Sequence, residues 1–196
     1  MFEKDLTIEL QYQRPDLFFV HAAVVERHGK AVILAAPSGT GKSTLTLALL
    51  HAGFRYLSDE LAPLDLITLQ VTPYPHALCL KDEPPKPFKL PKGAIRTLNT
   101  IHIPTGFLPA TALSRPVPLA AVVFIHRRGD TDTKTFLSEI GSAEAAVRLY
   151  ANALNALAHS GDGIDAAVRI VRCVPCYDLD STDLVRVGPA IESLIR

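Results

Sequence analysis

The residues Ala36-Pro-Ser-Gly-Thr-Gly-Lys-Ser-Thr44 decide the fold of this chain. They come close to the pattern G-x-x-x-x-G-K-[ST], in which a glycine-rich turn joins a strand to a helix, and only the first glycine is replaced, by Ala36. The apolar run Lys30–Ala35 precedes this turn, and the apolar segment Ser43–Ala52 follows it. The pattern therefore predicts a buried strand, a phosphate-binding loop and a buried helix.

The residue types in the loop suit a nucleoside triphosphate. Gly39 and Gly41 allow the chain to curl so that backbone N–H groups converge on phosphate oxygens. Lys42 is placed to neutralise the β- and γ-phosphates, and the Ser43 hydroxyl is placed to hold Mg²⁺. The alternative is a chance Gly/Ser turn, but the predicted strand and helix supply the context that the motif requires. The residues expected to bind the nucleotide are Ser38, Gly39, Thr40, Gly41, Lys42, Ser43 and Thr44.

Two acidic residues, Asp59 and Glu60, follow the next predicted strand, Phe54–Leu57. If that strand lies parallel beside the loop strand, both carboxylates reach the carboxyl edge of the sheet next to the phosphates. One carboxylate can then bind Mg²⁺, and we expect Asp59 to share the ion with Ser43. The other, Glu60, can accept the proton of an attacking hydroxyl. An exposed turn with two acids is the alternative interpretation.

The rest of the chain alternates between predicted strands and helices. The strands are a hairpin of Phe18–Arg27 and Lys30–Ala35, a core strand over Leu119–Ile125 and a strand over Val174–Leu179. The helices are Ser142–His159, Ile164–Arg172 and Asp183–Ile195, the last with a break at Gly188-Pro189. These elements predict an α/β fold, in which a mixed sheet carries the phosphate-binding loop and is flanked by helices.

Composition excludes several classes of protein. The 196 residues, 48% of them hydrophobic, suit a single globular domain over residues 1–196. The 20 basic and 20 acidic residues balance, which argues against a general nucleic-acid binder. The longest apolar runs, Ala31–Ala36 and Leu119–Ile125, are too short to span a membrane. The N-terminal residues lack the features of a secretion signal, and three cysteines do not make a disulfide framework, so we expect a cytoplasmic protein.

Three segments together resemble the catalytic domain of bacterial HPr kinase/phosphorylase, and more closely its HPr-kinase-like serine kinase relatives. These segments are Phe18–Val25, Ala36–Thr44 and Arg55–Glu60. In that family a strand beginning with histidine leads through a hairpin to a glycine-rich loop, a helix and an acid pair, and the fold resemblance extends to phosphoenolpyruvate carboxykinases. The resemblance implies that His21 is the active-site histidine, Lys42 the phosphate lysine, Ser43 the magnesium serine, and Asp59 with Glu60 the acid pair.

The same resemblance implies ATP and Mg²⁺ as cofactors, a protein or peptide carrying an acceptor serine as partner, and a homo-oligomer. The sequence departs from the family at Glu60, where the family has the aspartate that acts as base. Either the geometry differs or Asp59 shares that role. The Glu-x-Arg-Gly signature, which supplies a metal ligand and the phosphorylase function, is not found in the chain. A regulatory module that binds nucleotide but hydrolyses it slowly or not at all is therefore the alternative function, and a structural histidine is the alternative for His21.

Three further sequence features each have a functional and a simpler structural interpretation. Cys173-Val-Pro-Cys176 follows a predicted helix and leads into a strand, which favours packing cysteines over a redox or zinc site. The segment Lys81–Lys92 is either a lid that delivers positive charge to phosphate or a solvated loop. Arg127 and Arg128 follow a core strand and either stabilise a transferring phosphoryl group or form a surface turn.

Overall fold

The structure, a computed structural model, describes residues 2–126, 136–180 and 183–196. Its helices are α1 (Phe2–Gln13), α2 (Lys42–His51), α3 (Ser142–Ala151), α4 (Ile164–Cys173) and α5 (Leu184–Ser193). Its strands are β1 (Leu17–Val20), β2 (Ala22–Arg27), β3 (Lys30–Ala35), β4 (Arg55–Ser58), β5 (Ala62–Asp65), β6 (Gln70–Val71), β7 (Leu78–Leu80), β8 (Ile95–Arg96), β9 (Ile101–Ile103), β10 (Val117–His126), β11 (Phe136–Glu139) and β12 (Cys176–Asp180). None of the helices in these described ranges is long and apolar enough to cross a membrane.

One large mixed sheet forms the centre of the molecule and confirms the predicted α/β class. Its strands follow the order β1-β5-β6-β10-β3-β2-β4, and β12 pairs with β10 and β11. Strand β10 runs parallel to both β3 and β12, so that Phe124 lies opposite Ala35 on one side and opposite Asp178 on the other. The hairpin of β2 and β3 is antiparallel, as predicted. Because β3, β10 and β12 run in the same direction, their carboxyl ends share the edge where loop 36–41 begins.

Apolar side chains cover both faces of this sheet. In β3, Ile33 packs in a core that includes residues of α3 and α4, whereas Val32 and Leu34 pack in a core with residues of α2 and α5. Successive residues of a strand point to opposite faces, so a strand covered on both sides is apolar at every buried position. A small second sheet of order β7-β9-β8 joins the α2 core through Leu78 and Ile103.

The predicted strand Phe18–Arg27 is two strands that separate at His21. Strand β1 pairs with β5, whereas β2 pairs with β3 and β4. At the junction the N–H of His21 donates to the carbonyl oxygen of Asn152 at 2.7 Å. Apolar residues lie on both sides of the junction, so the sequence pattern carries no sign of this change of partner. The prediction of a single strand was therefore wrong at His21, which is one of the predicted site residues.

The predicted helix Ser142–His159 ends early, at Ala151. The residues after it bind β1 instead. The N–H of Leu154 donates to the carbonyl oxygen of Phe19 at 2.8 Å, and Oδ1 of Asn155 accepts from the N–H of Phe19 at 2.9 Å. Backbone groups at the edge of a sheet need partners, and here this need outweighs the helical propensity of the segment.

The prediction of a break at Gly188-Pro189 was also wrong. Helix α5 continues through Pro189. Val187 and Ile191 are buried in the same core as residues of α2. A Cβ atom placed on Gly188 would lie only 2.7 Å from Cβ of Ala52, just after α2. Tertiary packing between these two helices therefore holds α5 together despite the proline.

We expect the Gly188→Ala substitution to destabilise the protein by about 1–3 kcal/mol, although alanine favours helices more than glycine does, because the new methyl group overpacks the contact. The Ala52→Gly substitution removes the methyl group that the new methyl group at position 188 would contact, so the double variant should recover most of the lost stability. Denaturant titration of the wild type, both single variants and the double variant measures the four free energies of unfolding. Additive effects of the two substitutions would show that this contact is not the cause.

Candidate functional site

Loop 36–41 leaves the carboxyl end of β3 and leads directly into α2. Gly39 and Gly41 have φ values of 88° and 98°, which residues with side chains rarely adopt. Gly41 precedes the helix, and none of the described side chains caps it. The first N–H groups of any helix lack intrahelical acceptors, and because no such cap occupies those of α2, they can bind an anion. The hydroxyl of Thr40 donates to the carbonyl oxygen of Pro37 at 2.8 Å, which closes the loop on itself.

Asp59 reaches the start of α2 from the end of β4. The expectation that this strand lies directly beside β3 was wrong, because β2 separates them. Both pairings of β2 are antiparallel, so β4 nevertheless runs in the same direction as β3. The Ser43 hydroxyl donates to Oδ2 of Asp59 at 2.8 Å. The two residues predicted to hold Mg²⁺ are therefore in contact.

The Asp59 carboxylate is buried and only partly hydrogen-bonded. Its relative exposure is 0%, and Oδ1 has no hydrogen-bond partner among the described residues. Burial raises the pKa of Asp59, while the hydrogen bond from Ser43 and the charge of Lys42 act in the opposite direction. The carboxylate oxygens and the Ser43 hydroxyl are hard donors of the kind that Mg²⁺ prefers, so these residues fit that ion.

On the other side of the loop, His21 links Lys42 to Glu60. Nε2 of His21 lies 3.1 Å from Nζ of Lys42 and 3.3 Å from Oε2 of Glu60. A single ring nitrogen either accepts a hydrogen bond or donates one, so the contacts with Lys42 and Glu60 are alternatives. The tautomer and charge of the imidazole decide which of them forms.

The charges of Lys42 and Glu60 respond differently to their surroundings. Lys42 is only 7% exposed, and this burial lowers the pKa of its ammonium group, while Asp59 and Glu60 oppose the change. The hydrogen bond from His21 lowers the pKa of Glu60 more than burial raises it, and the positive charge of Lys42 lowers it further. The Glu60 side chain is 56% exposed. Glu60 is thus an ionised carboxylate that a second molecule can reach.

A cavity of about 550 Å³ opens beside His21 and Glu60. Its walls include the apolar side chains of Ile8, Leu61 and Leu154, and also Tyr74 and His76. The charge of His76 adds to the lowering of the Glu60 pKa. Tyr74 and His76 belong to no sequence motif, and only the fold brings them to the site.

The structure brings five predicted residues together, namely His21, Lys42, Ser43, Asp59 and Glu60. Ser38, Gly39, Thr40 and Gly41 form the loop beside them, and Thr44 lies in the first turn of α2. Arg127 and Arg128 lie outside the described residues.

The cysteine pair does not form a shared site. Cys173 is exposed, whereas Cys176 is buried in β12, where burial raises the pKa of its thiol to about 12. A thiol with so high a pKa is a poor nucleophile at neutral pH. Within residues 2–126, 136–180 and 183–196, no group of three or more His, Cys, Asp or Glu side chains is arranged to hold a metal ion. These observations favour the interpretation of Cys176 as a packing residue.

We expect the Asp59→Asn substitution to raise the thermal stability of the protein in a chelating buffer at pH 7. The raised pKa means that folding disfavours the charged carboxylate, and asparagine carries no charge. A gain of about 1 kcal/mol would raise Tm by about 2–4 °C in a chain of this length. The difference should vanish as the pH falls below the usual pKa of aspartate, because both side chains are then neutral.

Thermal melts of both proteins from pH 3 to pH 8, with EDTA present, measure this difference. The Asp65→Asn variant is the matched control, because Asp65 is a half-exposed carboxylate whose pKa is lowered by backbone N–H groups. Its substitution should lower Tm at neutral pH instead of raising it. A lower Tm for Asp59→Asn than for the wild type at pH 7 would contradict the inference that the buried charge of Asp59 destabilises the folded protein.

No protein-family model matches this chain, and no curated protein matches it. Among solved structures, the chain is similar to the Hpr(Ser) kinase/phosphatase from Coxiella burnetii. The sequence identity is 14% and the TM-score is 0.44, over 91% of this chain and 93% of that one. The similarity is distant.

Proposed function

We propose that this protein is a Mg²⁺-dependent phosphotransferase that moves the γ-phosphoryl group of ATP to a hydroxyl group. The observation that carries the proposal is the convergence of two pairs of side chains on the start of α2. Ser43 and Asp59 meet on one side, and the Oδ1 atom of Asp59 is left without a partner among the described residues. His21 and Glu60 meet on the other side, next to Lys42.

Each residue has a distinct part in the proposed reaction. The N–H groups of loop 36–41 and of the first turn of α2 bind the phosphates, and Lys42 neutralises them. Ser43 and Asp59 would hold Mg²⁺, which when bound offsets negative charge on the phosphates. The acceptor oxygen forms a bond to the γ-phosphorus, the bond from that phosphorus to the bridging oxygen of ADP breaks, and the hydroxyl proton passes to Glu60.

Glu60 suits the role of the base better than Asp59 does. Asp59 is fully buried, and one of its carboxylate oxygens is bound to Ser43, so an acceptor hydroxyl does not reach it from solvent. Glu60 is exposed, and its lowered pKa keeps it ionised at neutral pH. It also lines the 550 Å³ cavity, which gives an acceptor molecule a place beside the base. These facts support Glu60 as the base despite its extra methylene group.

The acceptor is proposed to be a serine of a protein or peptide, as the resemblance to HPr-kinase-like serine kinases implies. The cavity beside Glu60 supports a flexible segment in particular. Helix α1 contributes Thr7, Ile8 and Gln11 to its walls, so the serine enters alongside this helix. A peptide that extends into the cavity would bury apolar atoms against Ile8, Leu61 and Leu154.

We expect the Glu60→Gln substitution to leave the Kd for Mg-ATP nearly unchanged and to slow phosphoryl transfer by about 10²–10⁴-fold, because glutamine keeps the shape of the side chain but cannot accept the proton. The Lys42→Met substitution should weaken Mg-ATP binding by about 10- to 100-fold, as expected for the loss of a charge-assisted hydrogen bond. Calorimetry measures binding, and transfer of the labelled γ-phosphate to proteins of a cell extract measures the reaction.

Glu139→Gln is the control for these variants, because Glu139 is an exposed carboxylate on β11. It should behave like the wild type in both measurements. If the wild type binds Mg-ATP but labels no acceptor, and Glu60→Gln hydrolyses ATP as fast as the wild type, the protein is a nucleotide-binding regulatory module instead.

We also expect the Ala77→Phe substitution to impair the acceptor without affecting ATP. Ala77 lines the cavity, and a ring at this position would crowd the acceptor there; a cost of about 1–3 kcal/mol corresponds to a loss of about 5- to 150-fold in transfer rate. The Kd for Mg-ATP should not change. Ala143→Phe, at an exposed position of α3, is the control for the added ring. Equal transfer by the Ala77→Phe variant and the wild type would exclude this cavity as the acceptor site.

A further inference from the structure

Lys81 lies beside the phosphate-binding loop, although it is far from it in sequence. It directly follows β7, whose Leu78 and Leu80 are buried in the same core as Leu45 and Leu49 of α2. The strand is therefore packed against the helix that begins at the loop. This packing fixes the backbone from which the Lys81 side chain extends.

The ammonium group of Lys81 points toward the loop. A Cβ atom placed on Gly39 would lie 4.0 Å from Nζ of Lys81, and apart from Gly39 and its two neighbours no other atom of the described residues lies so near to that position. Lys81 is exposed and forms no ion pair or hydrogen bond with the described residues. The nearby carboxylate of Glu83 is engaged by Arg96. Lys81 thus offers an uncommitted positive charge at the glycine-rich turn.

The charge balance of the site explains what such a group would do. Lys42 brings one positive charge, while Asp59 and Glu60 bring two negative charges to the same place. A triphosphate adds further negative charge, and the ammonium group of Lys42 together with a bound Mg²⁺ would not offset all of it. Additional positive charge on the solvent side of the loop therefore favours binding of the polyphosphate and transfer of its terminal phosphoryl group.

We propose that Lys81 is a second phosphate-binding cation, which contacts β- or γ-phosphate oxygens of the nucleotide next to Gly39. The proposal rests on the proposed function, because it requires a polyphosphate in the loop. The sequence suggested that segment Lys81–Lys92 could act as a lid that delivers positive charge to phosphate; the proposal assigns that charge to Lys81 alone. Lys81 is held in place by β7 and needs no movement of the following segment to reach the loop.

The test compares Lys81→Gln, Lys81→Arg and Lys92→Gln with the wild type. Lys92 is an exposed lysine of the same proline-rich segment and serves as the matched control. Calorimetry at low and moderate salt measures the Kd values for Mg-ATP, AMP and tripolyphosphate. Lys81→Gln should raise the Kd for Mg-ATP and tripolyphosphate by about tenfold at low salt, as for one lost contact with a charged group, and leave the Kd for AMP unchanged. Lys81→Arg should stay within about twofold of the wild type, because it keeps the charge.

The outcomes separate this proposal from the function on which it rests. If the wild type binds neither Mg-ATP nor tripolyphosphate, the proposed function fails and this proposal fails with it. If the wild type binds both, and Lys81→Gln binds them as tightly, only the role of Lys81 is overturned. An equal loss of affinity for AMP and Mg-ATP would also overturn it, since the contact would then not involve the outer phosphates. Because Lys81 is exposed, its substitution should leave Tm unchanged, and measuring Tm verifies that the variants remain folded.

Discussion

The hydrogen bond from the Ser43 hydroxyl to the buried Asp59 carboxylate joins the start of α2 to the end of β4. Water does not reach Asp59, so the protein itself must stabilise its charge, and the groups that contribute most are Ser43 and Lys42. Both belong to the first turn of α2, which stands at this place because the loop turns sharply after β3. The glycine-rich loop, the helix and the acid are therefore one structural unit.

The same unit extends to Glu60 through His21. This histidine occupies the junction where the chain passes from β1 to β2, and its backbone N–H binds Asn152 instead of a strand. Its ring nitrogen can accept from Lys42 or donate to Glu60, but not both at once. In the proposed reaction, a Lys42 ammonium group that turns toward a phosphate oxygen leaves this nitrogen free for Glu60. In this proposal, the break in the sheet at His21 couples the phosphate side of the site to the acceptor side.

The sequence was sufficient for the strand, loop and helix around Lys42, because their signals are local. Gly39 and Gly41 mark the loop by the backbone angles they permit, and apolar runs mark the buried elements on either side. The approach of Asp59 to Ser43 was also foreseen, even though β2 lies between β3 and β4. Two antiparallel pairings in succession restore the strand direction, so the acid pair still reaches the loop edge.

Contacts between distant parts of the chain determine what the sequence did not reveal. The separation of β1 from β2 at His21, the end of α3 at Ala151 and the approach of Lys81 to Gly39 each depend on such a contact. Residues 18–25 are apolar on both sides of His21, and the helical pattern continues past Ala151. Local patterns therefore favoured longer elements, and long-range hydrogen bonds and packing shortened them.

The acid pair illustrates how two neighbouring carboxylates come to differ. Burial raises the pKa of Asp59, whereas the hydrogen bond from His21 lowers the pKa of Glu60. A buried carboxylate with an unpaired oxygen gains most from a cation, since the cation replaces the solvation that folding removed. An exposed, ionised carboxylate beside a cavity gains most from a hydroxyl that approaches it. Opposite environments assign different chemistry to adjacent residues of one turn, and this difference supports the proposed division of roles between Asp59 as metal ligand and Glu60 as base.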